Sequence, residues 1–374
     1  MKNNYSIIMA GGIGSRFWPM STPQYPKQFL DILGMGKSLI QMTFERLENV
    51  SPSENIYIVT NKEYKSIVLD QLPNIRPEQV LTEPERKNTA PCIAYAAAKI
   101  HALNPDANLI ISPADHLILQ QDNFTQTIQA AIGSAEQGRI ATIGIQPTRP
   151  DTGYGYIEFE QAEGLKAKDV LPVKQFREKP DLETAKSFVA SGNFYWNSGI
   201  FIWKSQTVLD ALKAFQPALY ELFCGDMSQY NSDSEQAYVD HCFATCEDIS
   251  IDFAVMEHAK NIDVVLSDFD WSDLGTWGSL DTHLDKDDHG NAVVGNQVHL
   301  FGSKNCIVNI PKGKTAVIDG LEDYIVIQSD DKLMILKKEN EQALKSYVNE
   351  VNASIKEVIL SLIHISEPTR RPII

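Results

Sequence analysis

The chain lacks any apolar run of about eighteen residues, which excludes a transmembrane helix. Nor does a leader-like apolar segment precede the first strand pattern, so no secretory signal is expected. Cysteine is scarce, with only Cys92, Cys224, Cys242, Cys246 and Cys306 in 374 residues. An odd, scattered set makes no disulfide framework, and Cys242 and Cys246 lack the second Cys or His pair that a zinc site needs. They read as reduced, buried thiols of a cytoplasmic protein. Positive charge is also short: 33 Lys and Arg stand against 49 Asp and Glu, a net charge of −16. Without a basic stripe, nucleic acid is not expected as a partner, and no membrane partner is expected. Two familiar phosphate signatures are missing as well. There is no G-x-x-x-x-G-K-[ST], and in Gly12-Ile13-Gly14-Ser15-Arg16 an arginine stands near the place of a dinucleotide fold's third glycine.

With 43% hydrophobic residues over this length, the chain can bury one large domain and a smaller one. Short apolar runs at Tyr5–Met9, Ile56–Thr60, Val80–Thr82, Leu109–Ser112 and Ala141–Ile145 read as buried strands. Helical patterns lie between them, around Ser38–Glu48, Lys62–Leu72, Ala90–Ala102 and Phe124–Gln137. Such alternation predicts a mostly parallel α/β sheet covered on both faces, with ligands bound beyond the carboxyl ends of its strands. From Tyr154 a mixed set of strands and helices completes the same domain. Beyond Asp287, short β segments separated by Gly, Asn, Asp and Pro predict a small β-domain or solenoid. A helix from Glu341 to about Val358 closes it. The expected division is therefore 1–286, 287–358 and a tail, 359–374, which is disordered or non-native and carries no function.

Chemistry gathers where strands end. "MAGGIGSRFWPMSTPQYPKQFL" follows the first strand. Gly11, Gly12 and Gly14 let backbone N–H groups approach phosphate oxygens, while Arg16 offers a planar fork and Lys27 a movable point charge. The same residues also suit an ordinary proline-rich turn with two surface charges. An acidic chain needs a cation to hold polyphosphate, and Mg²⁺ takes one or two carboxylates with phosphate oxygens and water. Asp115, after Pro113 ends its strand, is one candidate. Asp273 in "DWSDLGTW" is a second, with Asp268 and Asp270 in competition. His116 reads as a packing or orienting neighbour. Asn88 and Thr89 open a helix, where they serve either as caps or as readers of a base edge. "FREKP" and "YWNSGIF" present Glu178 and Asn197 to sugar hydroxyls and Lys179 to a second phosphate.

Taken in order, "AGGIGSRFWPMSTPQYPKQFL", "NTAP", "SPADH", "FREKP", "WNSGIF" and "WSDLGTW" resemble the blocks of the sugar-nucleotide pyrophosphorylases. The spelling around Trp18 and Lys27-Gln28-Phe29 resembles that of the GDP-mannose-forming branch, the mannose-1-phosphate guanylyltransferases. The likeness runs from about residue 4 to 350. It implies a Rossmann-like nucleotidyltransferase domain followed by a short left-handed β-helix. It also implies Mg²⁺-dependent, in-line transfer from GTP to mannose 1-phosphate. On that reading Arg16 and Lys27 hold the departing phosphates, and Asp115 and Asp273 hold the metal. Asn88 and Thr89 meet the base, Lys179 guides the attacking phosphate, and Glu178, Asn197 and the backbone near Gly155 read the sugar. The chain is too short for the isomerase domain fused to some relatives, so a single activity is expected. A relative using another base or sugar, and a silent regulatory relative, stand as alternatives. A homodimer through the β-domain and its helix is the candidate assembly.

Overall fold

Strands that are apolar along their whole length can be satisfied only by cover on both faces, and the N-terminal half is built that way. A computed structural model describes residues 2–12, 14–161 and 163–353. The described chain falls into two compact units. The first holds the residues up to Gly12 together with Lys37–Asp273, and the second holds the loop ending at Gly36 and the described chain from Leu274 onward.

In the first unit, β1 (Asn4–Met9), β2 (Ile56–Asn61), β3 (Val80–Glu83) and β4 (Asn108–Pro113) are parallel in the order β3-β2-β1-β4. The reversal of order between β1 and β4 is a switch point, where the strand ends diverge and leave a crevice. Helices α1 (Leu39–Leu47), α2 (Lys65–Gln71) and α3 (Thr89–Leu103) make the crossovers. Every residue of α3 from Ala90 to Ile100 is buried. Its alanines let it lie close against the sheet, within one large core. A two-residue strand, β5 (Leu117–Ile118), and helix α4 (Gln121–Ala135) follow.

The rest of the sheet is mixed rather than mostly parallel. It adds β6 (Ile140–Ile145), β7 (Tyr156–Phe159), β8 (Val170–Arg177), β9 (Phe194–Lys204) and β10 (Ile262–Leu266). β9 runs antiparallel to both β4 and β6, and β8 runs antiparallel to β7 and β10. Hydrophobic patterning reports burial but not strand direction, so this difference could not be read from it. A short ladder joins β11 (Trp271–Ser272) to β5. No helix among the described residues is long and apolar enough to cross a membrane.

In the second unit, β12 (Ala292–Val294), β14 (Ile307–Asn309) and β16 (Tyr324–Ser329) stack in parallel. β13 (Val298–Phe301) and β15 (Ala316–Asp319) stack likewise, and β17 (Lys332–Lys337) closes antiparallel on β16. Cys306, Val308, Ile310 and Val326 form the small core of this β-rich region. Residues 344–353 are helical; the remainder of the expected closing helix and the tail 359–374 lie outside the described residues. The glycine-rich loop groups here because Phe17 packs on Trp277 at 4.8 Å between ring centroids and the Lys27 ammonium donates to the Leu274 carbonyl at 3.2 Å. This grouping differs from a division at residue 287.

Candidate active site

The carboxyl ends of β1 and β3 bring Gly11 and Glu83 together. A Cβ on Gly11 would stand 3.6 Å from Glu83 Oε2. Glu83 is 4% exposed, and its Oε1 has no hydrogen-bond partner among the described residues. Burial pushes its carboxyl up to about 7, against the lowering effects of the Cys92 thiol and the Arg86 guanidinium. Arg86 donates through Nε to the Gly11 carbonyl at 3.2 Å and through Nη2 to the Tyr64 hydroxyl at 2.6 Å. Beside them Asn88 has φ of 65°, and its side-chain oxygen accepts from the Thr89 amide at 3.0 Å. The Thr89 hydroxyl accepts from the Ile251 amide at 2.9 Å. Both side chains therefore hold the start of α3 in place, as capping residues do.

The second group follows β4. The β5–β11 ladder pairs Leu117 with Ser272, so His116 and Asp273 are the next residues along the two strands, with Asp115 in the turn just before His116. His116 Nδ1 accepts from Trp271 Nε1 at 3.3 Å, and its Nε2 is 4.0 Å from Asp115 Oδ1. It is thus an orienting neighbour. Asp115 and Asp273 are half-buried, whereas Asp268 and Asp270 are exposed and turned to Lys168 and Gln120. The Tyr154 hydroxyl donates to Asp273 Oδ1 at 2.8 Å. Burial and the Asp273 carboxylate both raise the Tyr154 pKa, so the phenol stays neutral. Trp196 and Trp271 meet its ring edge-on, and the Arg149 guanidinium, paired with Asp151, lies 5.3 Å above Trp196.

A third group lies where β6, β7 and β9 meet. Gly155 carries no side chain because none fits: a Cβ there would be 2.6 Å from Glu178 Oε2 and 3.3 Å from Asn197 Cβ. The Asn197 amide N–H donates to the Gly155 carbonyl at 2.8 Å. Asn197 Oδ1 accepts from the Thr142 hydroxyl at 3.1 Å and from the Gly199 amide at 3.2 Å. Its Nδ2 donates to Asp252 Oδ1 at 3.0 Å. Glu178 is 9% exposed and pairs with the exposed Lys179 at 3.0 Å. Burial, then the nearby Glu178 charge, raise the Asp252 carboxyl to about 6.

In the second unit Gly14 has φ of 65°, and a Cβ on it would overlap the Lys27 side chain. Only glycine meets both demands. Lys27 is 4% exposed, with its ammonium 5.7 Å over the Phe17 ring, so it is not a surface charge. Arg16 is exposed, as is Gly12 in the first unit.

The model of the nucleotidyl transferase family matches residues 5–289. The chain belongs to that family. It is 39% identical over 351 residues to the alginate biosynthesis protein AlgA of Pseudomonas aeruginosa, covering 93% of this chain and 72% of the relative. With a mannose-1-phosphate guanylyltransferase of Salmonella montevideo it shares 38% identity, over 92% of this chain and 73% of the relative. The crystal structure of a mannose-1-phosphate geranyltransferase from Thermus thermophilus is similar with a TM-score of 0.83. That match has 28% identity and covers 94% of this chain and 99% of the other.

Within this nucleotidyl transferase, sequence reasoning passed over Glu83, Tyr154 and Asp252. Glu83 stands in "TEPERK", just after the apolar run Val80–Thr82, and was given no role. The only signal of its burial was its place at the end of an apolar strand. Asp252 lies 55 positions from Asn197, a separation that no periodicity bridges.

Proposed function

We propose that this chain transfers the guanylyl group of GTP to α-D-mannose 1-phosphate, forming GDP-mannose and pyrophosphate. The observation that carries this reading is the 38% identity with a mannose-1-phosphate guanylyltransferase over 92% of the chain. In the reaction an oxygen of the sugar phosphate attacks the α-phosphorus of GTP. The bond from that phosphorus to the bridging oxygen breaks, and pyrophosphate leaves with the electron pair. No protein nucleophile is needed, so the residues contribute alignment and charge.

Glu83 supports guanine as the base. Guanine offers two adjacent donors, its ring N–H and exocyclic amine, and the two oxygens of a carboxylate at the end of β3 suit that pair. A uracil or thymine edge would turn a carbonyl against the same carboxylate, leaving two acceptors opposed. Asn88 and Thr89 hold the turn that carries this edge. Backbone N–H groups of Gly11, Gly12 and Gly14, with Arg16 and Lys27, hold the β- and γ-phosphates.

Asp115 and Asp273 are the residues that would hold Mg²⁺. Their hard carboxylate oxygens suit that ion, and the Tyr154 bond fixes the plane of the Asp273 carboxylate. When bound, the ion neutralises phosphate charge in an acidic protein. Glu178 and Asn197, with the Gly155 backbone, read sugar hydroxyls, and Lys179 steers the sugar phosphate.

The family match to residue 289 supports a catalytic domain of residues 1–286, and the parallel stacks of the β-rich region support a short left-handed β-helix after it. Five buried free thiols fit a cytoplasmic enzyme, and a homodimer remains the assembly to examine. The test is pyrophosphate release from four nucleoside triphosphates, each against mannose, glucose and galactose 1-phosphates with Mg²⁺. GTP with mannose 1-phosphate is expected to be fastest. Faster turnover with UTP or dTTP would overturn the base assignment, and faster turnover with another sugar would overturn the sugar assignment.

A further inference from the structure

We propose that Asp252 is a positioning residue, which sets the Asn197 amide for the sugar phosphate. This rests on the reading of Asn197 and Glu178 as the sugar-binding pair. An asparagine amide can rotate about its last bond and exchange oxygen for nitrogen, and only its partners decide which atom faces a ligand. Here the Gly199 amide donates to Oδ1, to which the Thr142 hydroxyl, its one proton shared with the Ile200 carbonyl, also turns, while Asp252 accepts from Nδ2. A carboxylate cannot donate, so Asp252 excludes the flipped amide. The second hydrogen on Nδ2 is then turned in a fixed direction as a donor. That is the group which Glu178, an acceptor, cannot itself supply to a hydroxyl.

The mount of Asp252 is built rather than incidental. It begins a five-residue π-helical turn, Asp252–Met256, a rare geometry that recurs at functional sites. Just before it, the Ile249 carbonyl accepts from the Ala90 amide at 3.1 Å and the Ile251 amide donates to the Thr89 hydroxyl at 2.9 Å. The acid is therefore pinned to the start of α3 by bonds that do not involve its own side chain. Removing the Asp252 carboxylate leaves these bonds in place, and the effect should fall on the sugar and not on the nucleotide. Burial first, and then the Glu178 charge, raise the Asp252 pKa, a cost that an amide making the same bond would not carry.

The test uses the full chain with GTP, mannose 1-phosphate and Mg²⁺. Asp252→Ala is expected to raise KM for mannose 1-phosphate at least tenfold, with KM for GTP within twofold of wild type. Asp252→Asn, whose amide can donate as well as accept and so no longer excludes the flipped Asn197, is expected to raise the same KM at least threefold while leaving KM for GTP unchanged. Isothermal titration should show GDP-mannose weakened by Asp252→Ala and GDP unchanged. If Asp252→Ala folds poorly, Asp252→Glu keeps the charge but moves the acceptor, and it too should raise KM for the sugar phosphate alone. Equal losses for both substrates, or Asp252→Glu matching wild type, overturn the proposal. A wild-type protein inactive with mannose 1-phosphate instead overturns the reading on which it rests.

Discussion

The Tyr154 hydroxyl donates a 2.8 Å hydrogen bond to Oδ1 of Asp273. The bond joins the start of the sugar-reading segment to one of the two carboxylates assigned to Mg²⁺. Because the phenol stays neutral, it orients the carboxylate without adding charge. Tyr154→Phe should raise the half-saturating Mg²⁺ concentration roughly tenfold, the scale of one hydrogen bond to a charged group. Turnover against Mg²⁺ and Mn²⁺ titration by electron paramagnetic resonance both read this. An unchanged midpoint in both would separate Tyr154 from the metal site.

Gly155→Ala places a methyl group within 2.6 Å of Glu178 Oε2. The carboxylate can swing aside, since it is the end of a side chain, but Asn197 and Phe176 leave little room. The variant should fold with a loss on the order of 1–3 kcal/mol. Its KM for mannose 1-phosphate should rise more than its KM for GTP. Denaturant unfolding and initial rates check the two parts separately.

Glu83 gives a pH signature of unusual sign. Its folded-state pKa is raised to about 7 from an ordinary 4.5, so the folded protein binds that proton more tightly than the unfolded chain. Its contribution to stability is then greatest below the unfolded value and falls as pH climbs through the folded one. Glu83→Gln removes the penalty. The variant should be more stable than wild type by on the order of 1–3 kcal/mol at pH 8, with the gap closing toward pH 5. Thermal melts across that range test it. The same variant should lose its preference for GTP over other triphosphates.

The four parallel strands were legible because each is apolar along its length and ends at glycine, proline or a turn. Every one was found within two residues of its expected bounds. The antiparallel β8 and β9 were visible as strands, but their direction was not, because direction depends on which neighbour a strand meets. Asp115, Asp273, Glu178 and Asn197 stood out since strand ends in α/β sheets carry ligands. Asn88 and Thr89 open α3, and their side chains act there as caps, one of the two roles read for them. Glu83 needed the burial created by α3 above it, and Asp252 needed a contact across 55 residues. Both are products of packing.

Lys27 is buried and bonded to the Leu274 carbonyl, which fixes its ammonium rather than leaving it to sample solvent. Lys27→Ala and Asp115→Ala should each lower turnover at least about a hundredfold, as for lost stabilisation of transition-state charge. Circular dichroism should be unchanged. Near-normal pyrophosphate release from either variant would remove that residue from the mechanism.

The most direct measurement is a phosphorus NMR time course of GTP and mannose 1-phosphate with Mg²⁺ and the wild-type protein. Loss of mannose 1-phosphate should be matched, mole for mole, by pyrophosphate and by the new diphosphate ester of GDP-mannose. Accumulation of GMP or orthophosphate with mannose 1-phosphate untouched would contradict the account.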